Sequence, residues 1–122
     1  MINYKISFSG RMRRRTFWLT WLSLFITNTL LVLLLFGMGA IGGENSIGLV
    51  VLLAVLFWVY NVLLAISMQV RRLHDINKSG AFVLLHLVPF GSLVLLIFFL
   101  SDSAPGTNQY GPNPKGVAAI KE

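Results

Sequence analysis

Cysteine is absent from this 122-residue chain, so it has no disulfide framework and no thiolate metal site. Charge is scarce: 11% of residues are Asp, Glu, Lys or Arg, against about 25% in soluble domains. With 56% hydrophobic residues, too little polar material is left to cover a water-facing surface. Acids are scarcer still, four against ten Lys and Arg, which leaves no carboxylate set for a metal and no acidic pair for general acid–base chemistry. Internal repeats and low-complexity tracts are lacking as well.

What is present is three apolar runs, at about residues 17–38, 47–68 and 81–100. The first two contain no charged side chain, and the third has His86 as its only ionisable group. At about 1.5 Å rise per residue each reaches about 30 Å, the thickness of a bilayer core. Hydrocarbon offers no partner to an unpaired backbone group, so helix is the expected state. The first run is longer than the apolar part of a signal peptide, about 7 to 15 residues, and is read as a span. The expected fold is all-α: a membrane domain over residues 1–100 with three transmembrane helices, and a Gly/Pro-rich extramembrane tail over 101–122.

The third run carries Pro89-Phe90-Gly91 near its middle. Proline removes one backbone donor and clashes one turn back, which predicts a kink. The preferred reading is a single kinked span with the tail on the outer side. The alternative is a re-entrant hairpin turning at Pro89, with the tail on the inner side.

The basic residues sort by side. Lys5, Arg11, Arg13, Arg14 and Arg15 precede the first run, and Arg71, Arg72 and Lys78 lie between the second and third. The intervening segment 37–46, "GMGAIGGENS", has no Lys or Arg. Cytoplasmic loops collect Lys and Arg, so the N-terminus and the "RRLHDINKS" loop are placed in the cytoplasm. Orientation accounts for the basic pI, and no pattern of nucleic-acid recognition is seen.

Three groups of polar residues are candidate sites. If residues 9–18 are helical, Arg11, Arg14 and Trp18 share a face. Together with Arg71, Arg72, His74 and Asp75, beside two helix N-termini with Ser79 as an N-cap, they form a candidate site for anionic phospholipid head groups or a protein partner. Arg71 and Arg72 are also spaced to pair with Asp75. A His74–Asp75 pair has the chemistry of a general base, but no nucleophile or metal set accompanies it. No catalytic residue, metal, cofactor or enzymatic activity is therefore expected. Within the membrane, Ser23, Asn61 and His86 lie about 9, 10 and 8 Å from the cytoplasmic ends of their runs. They are expected to face one another, as interhelical glue or as the polar site of a small channel or transporter. Asn28 is placed near mid-span, where it could pair in a homo-oligomer.

Three segments together resemble a known family: "FSGRMRRRTFW" (8–18), "RRLHD" followed by "KSG" (71–80), and "PGTNQYGPNP" (105–114). Gly10, Arg11, Arg14, Phe17 and Trp18 fit its Gly-Arg-x-x-Arg-x-x-aromatic-Trp entry, and Arg71 to Asp75 its Arg-Arg-Leu-His-Asp core. Asn108, Tyr110, Gly111, Pro112 and Pro114 fit its tail, and Pro89-Phe90 its third run. The chain is similar to members of the bacterial inner-membrane family filed as domain of unknown function number 805. The resemblance implies a small bacterial inner-membrane protein and supplies no activity; the apolar runs make it multi-pass. The functional expectation is a membrane scaffold or partner- or lipid-binding protein. The alternative is a channel or transporter component built around His86.

Overall fold

The structure, a computed structural model, describes residues 4–114. Two long helices dominate it: α1, Arg14–Gly42, and α2, Glu44–Asp75. Their 29 and 32 residues correspond to about 44 and 48 Å, and both are long and apolar enough to cross a membrane. They outrun the predicted spans at both ends. The expected 37–46 loop is almost entirely helical, because glycines within an apolar run do not break a helix that lipid surrounds. The connection shrinks to Gly43, whose φ of 64° and ψ of −158° suit a residue without Cβ. The two helices therefore lie antiparallel and in contact.

The third run does not form a helix of spanning length. Gly80–Leu87 is a 3₁₀ helix, and Gly91–Leu100 is a ten-residue α-helix, α3. Ser79 caps the first leg as its position predicts, accepting from the Ala81 N–H at 3.2 Å. Pro89 contributes no donor, Phe90 takes a left-handed conformation with φ 62°, and the chain reverses. Contacts across the legs prove the reversal. Phe82 meets Phe98 edge-on at 5.9 Å, and His86 Nδ1 lies 3.0 Å from Ser92 Oγ. The close approach needs Gly91, where a Cβ would stand 1.7 Å from the Leu85 carbonyl oxygen. The run is thus a hairpin of two short legs, as the re-entrant alternative expects, and the third spanning helix of the preferred reading is not seen among the described residues. The legs measure about 16 and 15 Å, so the tip reaches roughly half a bilayer core.

The hairpin packs at the Asp75 end of α2, and the core sits there. Met12, Phe17, Leu64, Met68, Leu73, Leu95 and Phe99 are buried together. Toward Gly43 only α1 and α2 remain, and their apolar side chains are bare, with Phe36 77% and Ile41 91% exposed. Water would penalise that surface at about 25 cal/mol per Å², whereas hydrocarbon accepts it.

Beyond α3 the tail folds back over the end of α2. The Ala104 N–H donates to the Asp75 carbonyl at 2.8 Å, and Asn108 and Gly111 exchange two hydrogen bonds of 3.0 Å across a tight turn. Residues 115–122, with Lys115, Lys121 and Glu122 of the predicted tail, lie outside the described residues. The N-terminal arm returns along the other side of the helix pair, where the Tyr60 hydroxyl donates to the Tyr4 carbonyl at 3.4 Å.

Candidate functional site

The end of α2 is set by its last turn. Asn77 at φ 61° stops the helix. The Lys78 N–H reaches back to Leu73 O at 2.8 Å and the Asn77 N–H to His74 O at 3.0 Å, the paired bonds of a Schellman cap. This stop places Asp75 at the convergence of the N-terminal arm, the hairpin base and the tail.

Asp75 is fully buried, and so is the side chain of Arg72; that of Arg11 is 1% exposed. The carboxylate accepts from Arg11 Nε at 3.0 Å and from Arg72 Nη1 at 2.6 Å, and also from the Ser103 hydroxyl. Arg11 has five N–H donors, and each finds an acceptor. Besides Asp75 Oδ1 these are the carbonyls of Gly106 at 2.7 Å, Gly111 at 3.3 Å, Asp75 at 3.1 Å and Ala104 at 2.6 Å. One guanidinium thus holds the tail in its folded shape and ties it to α2. Arg72 reaches the other way, to the Ser101 carbonyl, and its Nε is buried with no acceptor among the described residues.

The base of the hairpin is closed by the same set. The last carbonyls of a helix lack partners within it. Here Trp18 Nε1 donates to Phe99 O at 3.1 Å and Arg14 Nη1 to Leu100 O at 2.8 Å. With Arg72 on Ser101, two cations and an indole meet the negative end of α3. His74 completes the tail contact. Its ring stacks on Tyr110 at 3.9 Å and 3°, and its Nδ1 lies 2.9 Å from Gly10 O. A carbonyl only accepts, so the proton sits on Nδ1.

Several sequence expectations change. Arg72 pairs with Asp75 as its spacing allows, but Arg71 does not: its Nη2 donates to Lys5 O at 2.7 Å. The second partner of Asp75 is Arg11, which lies in the arm before α1, so Arg11 and Arg14 do not share a helical face. Apart from Arg72 Nε, the hydrogen bonds of Arg11, Arg71 and Arg72 go to this chain's own carbonyls and carboxylate, not to an open anion site. Asp75 and His74 are buried among their own partners. Arg15 is exposed and Arg13 half-buried, and neither is in the two ion pairs among the described residues. Nor do Ser23, Asn61 and His86 meet. Ser23 bonds the Tyr4 hydroxyl, Asn61 donates to Phe57 O on its own helix at 2.8 Å, and His86 pairs with Ser92 and with Gln69, the latter at 2.7 Å. Gln69 and the tail carbonyls were not legible as site groups, because a glutamine ending an apolar run and a peptide oxygen carry no distinctive sequence signal.

The three segments that converge are the three on which the family resemblance rests. A model described as "Protein of unknown function (DUF805)" matches residues 5–112. The chain belongs to the DUF805 family. Among the relatives, inner membrane protein YhaI of Escherichia coli K12 is 36% identical over 115 residues, covering 93% of this chain and 89% of that protein. Inner membrane protein YhaH of the same strain is 35% identical over 119 residues, covering 93% and 90%. No solved structure matches. The match spans the arm, α2, the hairpin and the tail turn, so every element of the knot falls within the DUF805 region.

Proposed function

We propose that this is a bacterial inner-membrane protein that crosses the bilayer twice, with the arm, the knot around Asp75 and the tail on the cytoplasmic side. It serves as a non-enzymatic scaffold whose partners are membrane proteins, further copies of itself or lipid. The location rests on the names of the relatives. The orientation rests on charge: all eight Lys and Arg of residues 5–78 lie toward the Asp75 end, and the Gly43 turn has only Glu44 beside it. Translocating Arg costs about 2.5–3.5 kcal/mol per residue on insertion scales, which favours this arrangement.

One observation carries the scaffold reading. The buried arginines are closed on the protein itself, so the surface left for a partner is the bare apolar face of α1 and α2 together with Arg13 and Arg15. The head-group role expected of Arg11, Arg71 and Arg72 therefore passes to Arg13 and Arg15, whose charges suit an anionic leaflet at about 1 kcal/mol each. The transport alternative needs a polar path, and Ser23, Asn61 and His86 make separate bonds. Proteoliposomes containing the protein are expected to show no solute or proton flux above empty vesicles, while in-membrane cross-linking traps protein neighbours. A flux abolished by His86→Ala would replace this reading with transport.

A further inference from the structure

The re-entrant hairpin leaves a cleft where it leans on the helix pair. The cleft measures about 320 Å³ and is walled by aromatic and aliphatic side chains, among them Trp18, Trp21, Leu24, Met68 and Leu96. That is within the range of small-molecule sites, about 300–1,000 Å³. One corner is polar, formed by Gln69 of α2 with His86 and Ser92 of the two hairpin legs.

The protons in that corner can be followed. Gln69 Oε1 lies 2.7 Å from His86 Nε2, and an amide oxygen only accepts, so Nε2 carries the proton. In the neutral ring Nδ1 is then the acceptor, and the Ser92 hydroxyl donates to it across 3.0 Å. This chain satisfies the imidazole and stitches the hairpin to α2. It also fixes the Gln69 amide with its oxygen toward His86, so the amide nitrogen of this half-buried cleft residue is open to an acceptor from outside the described residues. Gln69 precedes Asp75 by six residues, so it lies about 9 Å deeper than the knot. With Trp18 and Trp21 marking the interfacial belt, that is the level at which hydrocarbon begins.

We infer that the cleft binds one acyl chain of a membrane phospholipid, with the chain's ester carbonyl accepting from the Gln69 amide. The aromatic and aliphatic walls take the methylenes, and the carbonyl accepts from the Gln69 amide. His86 acts here as a positioning residue that orients the amide. The inference rests on the membrane reading given above and adds a ligand class to it.

Native mass spectrometry of the full chain, released from bacterial membranes in mild detergent, tests this. Wild type is expected to retain one phospholipid per chain. Gln69→Leu removes the donors, and its retention is expected to fall about tenfold, the worth of one hydrogen bond. Leu96→Trp fills the cleft and is expected to abolish retention with Gln69 intact. Equal retention in wild type and both variants would overturn the inference, as would a wild type free of lipid. A retained mass of an isoprenoid quinone, or a lipid-free dimer, would assign the cleft to another occupant and equally overturn it. Flotation with membranes separates the two readings: variants that lose lipid but still float contradict nothing about membrane residence, whereas a wild type that does not float sinks the membrane reading itself.

Discussion

Replacing Asp75 by Ala is expected to cost about 3–5 kcal/mol, the usual penalty for removing one partner of a buried ion pair. The reason is the company Asp75 keeps. Arg11 and Arg72 both bury their side chains against it, at 3.0 and 2.6 Å, and these are the two ion pairs among the described residues. Without Asp75 two guanidinium charges stand in a water-poor core. Arg11 would still hold the carbonyls of Ala104, Gly106 and Gly111, but it would lose its ion-pair partner. The tail should then detach, exposing His74 and Tyr110. Asp75→Asn preserves the shape of the side chain and isolates the charge, so most of the loss should remain. Arg11→Lys keeps the charge but offers three donors where five are used, and should fall between wild type and Asp75→Ala. Thermal unfolding in detergent and steady-state abundance in membranes both report the order. Equal stability of Asp75→Asn and wild type would mean that the knot is held by hydrogen-bond geometry alone.

Gly91→Ala is the second large effect, and its sign separates two architectures. In a single kinked span Gly91 would occupy a helix interior, where Gly→Ala stabilises by roughly 0.5–1 kcal/mol. In the re-entrant hairpin the new methyl would sit 1.7 Å from Leu85 O and 2.6 Å from Leu85 C. Those are backbone atoms of the facing leg and cannot rotate away. The legs must part, and the His86–Ser92 bond is lost with the tip packing. A destabilisation of about 3 kcal/mol, the upper end for overpacking a close contact, is expected. A raised melting temperature in Gly91→Ala would restore the straight span.

Composition made the two long apolar helices readable, because hydrophobic length is a property of the chain itself. The fate of the third run was not readable in the same way. Pro89 and Gly91 permit both a kink and a reversal, and the outcome depends on whether Leu85 and Gly91 can touch, a contact no local pattern encodes. The site shows the same division. Spacing along α2 brought Arg72 to Asp75, since three residues on a helix are neighbours. It could not bring Arg11, which arrives from 64 residues away. Nor could it show that the acceptors for Arg11 are mostly peptide carbonyls, which every residue has. The expected cluster of Ser23, Asn61 and His86 failed for a related reason. Equal depth does not imply equal azimuth, and each group found a nearer partner: Tyr4, the Phe57 carbonyl, and Gln69 with Ser92.

The central claim is that the third apolar run turns back, so that the tail is tied to the same end of the molecule as the arm. The absence of cysteine makes a direct measurement simple, since any introduced thiol is unique. Gln109 is exposed in the tail, and Asn45 is exposed beside the Gly43 turn. In intact cells a membrane-impermeant maleimide is predicted to label Asn45→Cys and to leave Gln109→Cys unlabelled until the inner membrane is permeabilised. Labelling of both from outside would place the tail across the bilayer, and would contradict the hairpin and the knot together.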